Sequence, residues 1–321
     1  MHRLATILTT TAVLMPAAAF AQDPQCNLVP PNTAATAACN AAVDGVRAFY
    51  PLAGMIVSGG NPVLGTGGTL GGFGHVMLTA RVNAIKAALP DPTATNQSPV
   101  PSGFNGAVPA PVVEGAVGLF RGLGSGLLSV DVLASALILP TGINKLTVDS
   151  NAAHIGGAAL GVGYGARVGV LKGSFPVPSV SVSWMHRTVP RLRYGTLGSS
   201  PTLGDQFEFT MDLRSDSYRA VAGWRFVLVD LAAGIGVDRY RSSETNIRFY
   251  DSPTTIRTVV INPANTRAVV FVNGGLSLAA VKLVGEIGLQ SGKDQSYFTK
   301  FADFDPKAAH VFGGIGVRFG F

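Results

Sequence analysis

The side chains of this sequence best suited to act on a solute are charged residues that recur at alternate positions of extended segments. Because both signs are present, they could pair as salt bridges that fill an interior, or they could line a constriction whose charge selects solutes. Arginine outnumbers lysine among them, which suits planar, bidentate pairing with carboxylates. On the inward face of the predicted strands we place Arg81, Glu114, Asp131, Arg167, Glu208, Asp212, Arg219, Arg225, Asp238, Lys282, Glu286 and Arg318.

The sequence predicts no catalytic residue, no metal site and no cofactor. Its histidines beyond the first segment, His75, His154, His186 and His310, lie in no nucleophile motif such as Gly-x-Ser-x-Gly. A lipid-modifying enzyme that uses a serine, a histidine and a polar orienting group stays an alternative on residue types alone.

The composition points to a protein that crosses a membrane with strands. Charged residues make up 13% of the 321 residues, against about 25% in an average soluble domain. Glycine accounts for 40 of the 321 residues, whereas the usual share of roughly 7% would give about 22. The mean hydropathy of +0.34 excludes a disordered chain. Beyond the first segment no apolar run approaches the roughly 20 residues that a spanning helix needs.

Residues 1–21 have the pattern of a secretory signal peptide. A short basic start precedes an apolar stretch, and Ala19-Phe20-Ala21 supplies the small residues of a cleavage site. An N-terminal anchor helix is the alternative. The formal net charge is +6 and the sequence contains no run of basic residues, so no nucleic-acid partner is expected.

Cys26 and Cys39 are the two cysteines of the chain. Export would place them in an oxidising compartment, where closing a loop of this size stabilises by about 3 kcal/mol. Neither the paired histidines of a zinc site nor the Cys-x-x-Cys spacing of a redox dithiol accompanies them. We therefore predict one structural disulfide.

Apolar residues alternate with small or polar ones through most of residues 71–321. At the C-terminus, Phe321, Phe319, Val317, Ile315 and Val311 fall on one face of an extended strand. In a barrel in lipid the apolar face meets hydrocarbon and the polar face lines the lumen. Segments of about ten residues are long enough to cross a bilayer when tilted. The fold class predicted is all-β, a closed transmembrane antiparallel β-barrel of roughly 12 strands, with 10 to 14 allowed.

This rule of sidedness makes two specific assignments. It places Trp224 and Phe319 on the lipid-facing side. It also places there one apolar run whose neighbours Glu208 and Asp212 would face the lumen, namely Phe207, Phe209, Met211 and Leu213.

Two kinds of connection separate the predicted strands. The short ones are Gly173–Pro178, Ser215–Asp216 and Val229–Asp230, and the long polar ones are Arg187–Asp205, Arg239–Thr254 and Ser291–Pro306. Barrels of this type keep short turns on the periplasmic side and long loops outside. The long loops would expose basic or aromatic residues that either contact anionic lipopolysaccharide or are simply solvated: Arg187, Arg191, Arg193, Tyr194, Arg239, Tyr240, Arg241 and Arg248.

The residues before the barrel, 22–70, break the alternation. Ala34–Tyr50 is alanine-rich and predicts a short helix, and Gly59–Gly74 is a glycine-rich coil. Residues 22–70 could plug the barrel or lead into it from the periplasm. Residues 90–111 are rich in proline and predict an exposed loop.

The closing sequence Val317-Arg318-Phe319-Gly320-Phe321 resembles the C-terminal signature of bacterial outer-membrane β-barrel proteins. The resemblance implies that Val317, Phe319 and Phe321 are read by the barrel-assembly machinery. It further implies an outer-membrane location after export, with outer-membrane lipid and lipopolysaccharide as partners. In having a chain segment before the first strand, the sequence is also similar to outer-membrane fatty-acid transporters, whose segment plugs the lumen.

The function expected on these grounds is passive passage of a small polar or amphipathic solute. A structural or adhesion barrel without conduction is the first alternative, and a lipid-modifying enzyme is the second.

Overall fold

The computed structural model describes residues 23–28, 31–124, 126–140, 142–143, 146–148, 154–155, 158–198, 204–278 and 281–320. The predicted signal peptide and the terminal Phe321 lie outside these residues.

Ten antiparallel strands close into a ring, because β9 and β8, which stand at the two ends of the ten-strand series, also pair with each other. The ring strands are β1 (Val76–Pro90), β2 (Ser102–Phe120), β3 (Val130–Pro140), β7 (Ala158–Leu171), β8 (Ser179–Tyr194), β9 (Phe207–Arg225), β10 (Val229–Arg241), β13 (Ala264–Leu278), β14 (Val281–Gln290) and β15 (His310–Gly320). Closure pairs the first strand with the last, with Arg81 opposite Gly316.

The remaining strands are short and extend the wall at one end. They are β4 (Gly142–Ile143), β5 (Leu146–Val148), β6 (His154–Ile155), β11 (Thr245–Ser252) and β12 (Thr255–Ile261). The β11–β12 hairpin pairs with the first residues of β9, through Phe207–Met211.

The ring has ten strands where the alternation predicts roughly 12. One cause is that the predicted Ser215–Asp216 turn lies in the middle of the unbroken strand β9. Another is that the predicted strand 255–261 belongs to the hairpin beside the ring. Part of the predicted 90–111 loop is also strand, since β2 begins at Ser102.

The two ends of the ring differ in their connections. At one end, the short-turn end, the strands are joined by residues 121–129, 172–178 and 226–228. At the other, the long-loop end, they are joined by residues 91–101, 195–206, 242–263 and 291–309. The connection predicted at Arg187–Asp205 is shorter than expected, because β8 runs to Tyr194. The connection predicted at Arg239–Thr254 begins later, because β10 runs to Arg241, and it extends to residue 263 because it contains the β11–β12 hairpin.

An apolar band covers the outside of the ring. Ile315 is 75% exposed, Ile235 62% and Val272 54%. Trp224 and Phe319 also point outward, as predicted. On each strand the band occupies about four outward positions, which corresponds to the roughly 25 Å apolar belt of a transmembrane barrel.

In the long-loop half of β9, the side chains predicted to face outward face inward, and those predicted to face inward face outward. Its apolar residues, Phe207, Phe209, Met211 and Leu213, are fully buried inside the ring. The acids predicted to face the lumen point outward: Glu208 binds Arg193 and Arg248, and Asp212 accepts from the Ser242 hydroxyl. This part of β9 lies beyond the apolar band, with water outside and an apolar core inside, so it alternates like a strand of a soluble protein.

The core that it packs against is a helix inside the ring. Helix α1 (Thr33–Ser58) follows a short 3-10 turn (Pro24–Cys26), and it is longer than the predicted Ala34–Tyr50. The Asn32 side chain caps its first turn by accepting from Ala35 N. The predicted disulfide is confirmed, with Cα atoms of Cys26 and Cys39 5.6 Å apart.

None of the helices in the described ranges combines the length and the hydropathy required to cross a membrane.

Candidate functional site

The long-loop half of the lumen is filled by α1 and apolar side chains. Phe49 and Met55 on the helix are buried in one cluster with Phe209, Ile247 and Phe249 on the wall. Gly54 lies against the wall so closely that a Cβ atom there would be 2.2 Å from Cδ1 of Tyr240. This half therefore has the dry, close packing of a protein core.

The short-turn half of the lumen is filled differently, by the coil that follows α1. We call residues 59–72 the plug segment. Its residue Gly67 approaches the main chain of β9 so closely that a Cβ atom would be 2.3 Å from Gly223 N. The coil lacks the internal hydrogen bonds of a helix, so its buried peptide groups need partners on the wall.

Arg219 supplies partners where the plug segment begins. Its Nη2 donates to Gly59 O at 2.8 Å and its Nε donates to Gly60 O at 2.7 Å. The guanidinium also pairs with Asp238, with Nη1 2.7 Å from Oδ1. Asp238 in turn accepts from the Tyr240 hydroxyl at 2.9 Å. The pair thus holds two carbonyl groups of the plug while its charges neutralise each other.

Glu286 binds the same turn from the other side. Its two carboxylate oxygens accept from Gly60 N at 2.9 Å and from Asn61 N at 3.0 Å. Arg81 donates to Glu286 at 3.1 Å and, through its other nitrogen, to Glu114 at 2.9 Å.

The network continues to Arg187, whose Nη2 donates to Glu114 at 3.2 Å. Arg187 is fully buried on the inner face of β8, whereas the sequence places it in an exterior loop. The alternation of Ser183, Met185 and Arg187 on one face of this strand is the signal that could have located it.

Three further wall residues hold the rest of the plug segment. Asn273 accepts from Gly65 N at 2.9 Å, and Arg318 donates to Leu64 O at 2.7 Å. Asp131 accepts from Leu70 N at 3.1 Å and pairs with Arg167, whose Nη2 is 2.6 Å away. We call the five wall residues that bind the plug main chain the clamp: Arg219, Glu286, Asn273, Arg318 and Asp131.

Most of the charged residues predicted to face inward do so. Those on the inner face are Arg81, Glu114, Asp131, Arg167, Arg219, Asp238, Lys282, Glu286 and Arg318. Arg225 lies at the mouth of the short-turn end with its side chain 76% exposed. Glu208 and Asp212 are on the outer face, as described above.

Sequence reasoning missed several residues of the interior. Tyr194 and Tyr240, expected in exterior loops, are buried. Asp230, expected in a turn, begins β10 and is bound by Lys282. Asn273 was missed because it carries no charge.

A carboxylate outside the membrane-spanning strands holds a long loop against the helix. Asp44 on α1 accepts from Phe298 N at 2.8 Å and from Thr299 N at 2.7 Å. Burial raises the pKa of the Asp44 carboxyl above its ordinary value of 3.8, although these N–H groups and Arg47 oppose the shift.

Of the histidine side chains that the structure describes, one pairs with a carboxylate. His186 Nδ1 lies 3.0 Å from Asp216 Oδ1 on the outer face of the ring, beside the ring of Tyr164. Within the described part of the chain, no three His, Cys, Asp or Glu side chains are grouped so as to hold a metal ion.

No protein-family model matches the sequence, and no curated protein matches it. Among solved structures, the chain is similar in fold to bacterial outer-membrane β-barrels. The translocator domain of the autotransporter NalP from Neisseria meningitidis is 10% identical, with a TM-score of 0.47 over 87% of this chain and 98% of that one. The outer membrane protease OmpT from Escherichia coli is 11% identical, with a TM-score of 0.40 over 77% and 96%.

The toluene transporter TodX of P. putida is 11% identical, with a TM-score of 0.30 over 77% of this chain and 89% of that one. These similar structures include a protease, a translocator domain and a transporter, so likeness at this level specifies no activity.

Proposed function

We propose that this chain is an outer-membrane β-barrel sealed by its own N-terminal segment, which does not conduct at rest and acts as a structural or binding protein of the membrane. The apolar band around a closed ring supports the membrane location, since lipid requires every strand edge to be paired. The observation that carries the proposal is the clamp. Wall residues bind the plug main chain from Gly59 to Leu70.

Two seals lie in series along the lumen. A solute entering from the long-loop end meets α1, whose buried residues would have to leave an apolar core. A solute entering from the short-turn end meets the plug segment. Opening the first seal means exposing apolar surface at roughly 25 cal/mol per Å², and opening the second means breaking the hydrogen bonds between the clamp and the plug main chain. Spontaneous opening of both is therefore rare.

A second function, transport of a small polar solute after plug displacement, is favoured by the chemistry of the clamp. Charged side chains remain favourable in a water-filled lumen, whereas the apolar wall around α1 does not. Were the plug segment to leave, the short-turn half would be a wet, charged path. In that case the residues of the clamp would be the constriction that selects solutes.

Single-channel recording in planar bilayers tests the proposal. The wild-type protein should give a flat trace, and discrete steps in the wild-type trace would contradict a sealed lumen. The isosteric Glu286→Gln variant, which removes one clamp charge, should give rare openings if the second function holds. Arg257→Gln is the matched control, because Arg257 pairs with Asp251 at 3.3 Å on the hairpin beside the ring.

Thiol labelling gives an independent readout of the same seal. In the described residues no cysteine is free, so a Ser58→Cys variant would carry a single reactive thiol. Ser58 is 1% exposed and its hydroxyl lies 2.7 Å from that of Ser215. A maleimide reagent should label this thiol slowly in the folded protein. Labelling as fast as that of the unfolded chain would show that the lumen is open.

A further inference from the structure

Below the clamp, a cavity of about 940 Å³ opens at the short-turn end. We call it the vestibule. It is lined by residues 66–72 of the plug segment, by Phe73, by the 172–178 turn and by Arg121, Arg225 and Arg318. Its size lies within the roughly 300–1,000 Å³ of known ligand pockets. If the lumen is sealed, as proposed above, the vestibule is a blind pocket, and a molecule that enters it binds there and leaves by the same mouth.

The lining of the vestibule is strongly positive. Arg121 and Lys172 are exposed and make no hydrogen bond or ion pair with any residue that the structure describes. Arg225 and Arg318 add two further positive charges.

The acidic residue of this lining, Asp230, is already neutralised. Lys282 binds it, and Arg225 and Arg318 each lie 3.5 Å from it. The free positive charge of Arg121 and Lys172 is thus left to a ligand, and in a concave, low-dielectric mouth such charge attracts anions.

The rim of the vestibule adds apolar surface to this charge. Phe73 is 86% exposed and Phe175 71%. Trp224 belongs to the same lining and donates from Nε1 to Pro176 O, in the turn that carries Phe175, at 3.0 Å. Large exposed aromatic side chains grouped around a charged pocket favour a ligand with an apolar body and a charged head.

We propose that the vestibule binds an anionic amphiphile. Its phosphate or carboxylate head lies against Arg121, Lys172 and Arg225, and its apolar part lies on Phe73 and Phe175. Arginine is suited to the head because its planar fork pairs with both oxygens of such groups. The ligand also contacts the plug segment, since its residues 66–72 line the pocket.

Trp224 provides a direct reporter of occupancy. The chain has two tryptophans, and Trp184 lies on the outer wall, where it contacts Tyr164. In a Trp184→Phe background, the fluorescence of Trp224 should change saturably when dodecyl phosphate is added to the protein in a neutral detergent. Dodecyltrimethylammonium, with the same chain and the opposite charge, should cause no saturable change.

The charge requirement is tested with two matched pairs of substitutions. Arg121→Gln with Lys172→Gln should weaken dodecyl phosphate binding by about tenfold or more, because two of the cations that attract the anionic head are lost. Arg214→Gln with Arg241→Gln removes the same charge from exposed sites at the long-loop half and should leave binding unchanged. Equal weakening by both pairs would overturn the site, because net charge alone would then explain it.

Two further binding measurements test the apolar part and the anionic head of the ligand separately. Inorganic phosphate that competes as well as dodecyl phosphate would overturn the apolar part of the proposal. Equal binding of the cationic amphiphile would overturn the anionic part. Failure of this proposal is distinguishable from failure of the sealed lumen, because the two are measured independently. A conducting wild-type protein would contradict the sealed lumen without changing the Trp224 titration. The absence of a fluorescence change would contradict the ligand site without making the protein conduct.

Discussion

Breaking the Arg219–Asp238 pair should destabilise the protein and loosen the plug, and the effects of substituting the two residues together should be less than additive. The side chains of Arg219 and Asp238 are 1% and 0% exposed. Removing one charge leaves the other buried without a partner, which costs about 3–5 kcal/mol. We therefore expect Arg219→Gln and Asp238→Asn each to destabilise the protein by that amount. The double variant has no buried charge left at this position, so it should fall short of the sum by about 2–3 kcal/mol.

The assay is denaturant unfolding in detergent of the wild type, both single variants and the double variant. The rate of maleimide labelling at Ser58→Cys, measured in each background, reports separately on release of the plug. Arg219 binds the carbonyl groups of Gly59 and Gly60, so its loss should accelerate labelling more than the loss of Asp238 does. Effects of the two single variants that add within about 0.5 kcal/mol would refute the reasoning, since the two charges would then be uncoupled.

Three further predictions concern the helix and the wall around it. Gly54→Ala should destabilise by about 1–3 kcal/mol in thermal unfolding, because the new Cβ atom overlaps the buried ring of Tyr240; an unchanged Tm would mean that the helix is not seated against β10. Asp44→Asn should raise Tm at pH 7, because the raised pKa of Asp44 makes the wild type progressively less stable as the pH rises from the ordinary value of 3.8 through the folded-state pKa. The gain should therefore vanish below 3.8, and a gain that grows as the pH falls would contradict this sign. Phe209→Ala should lower the free energy of unfolding by about 3–5 kcal/mol in denaturant unfolding. The control Ile315→Ala, at a position 75% exposed on the outer face, should lower it by less than about 1 kcal/mol. Equal losses would contradict the assignment of Phe209 to the interior.

The architecture could be predicted because alternation and depleted charge follow from the lipid environment. A strand with lipid on one side must place apolar residues there at every second position. The same two-residue period correctly predicts that residues as far apart as Arg81 and Arg318 face inward. The disulfide could be predicted as well, because the predicted signal peptide implies export, and an exported chain with two cysteines at this spacing has few other uses for them.

Sidedness could not be predicted for the first half of β9. Alternation states that two faces differ, but it does not state which face is inside. In Phe207–Leu213 the apolar face turns inward because α1 fills this half of the lumen and water surrounds the wall. The helix itself is amphipathic only in part, and its burial depends on the ring that encloses it. The presence of α1 in this half of the lumen therefore reverses the predicted positions of Glu208 and Asp212.

The partners of the clamp were beyond sequence reasoning for a different reason. Glu286 binds Gly60 across 226 residues of chain, and the atoms that it binds are main-chain N–H groups, which every residue has. Nothing in the types or spacing of Gly59, Gly60 and Asn61 marks them as ligands of a carboxylate. Only the ring brings them together.

The purpose of the buried charges follows from what they touch. For the charged wall to select solutes while the plug segment is in place, its side chains would have to point into free space. Instead Arg219, Glu286 and Arg318 each reach a peptide group of a glycine-rich coil. A coil in a narrow lumen has no other way to satisfy those groups, and each one left unpaired costs about 1–3 kcal/mol. The charges are therefore a condition for a plug made of coil, and a barrel of this width filled by such a coil needs polar walls around it even if nothing ever passes through.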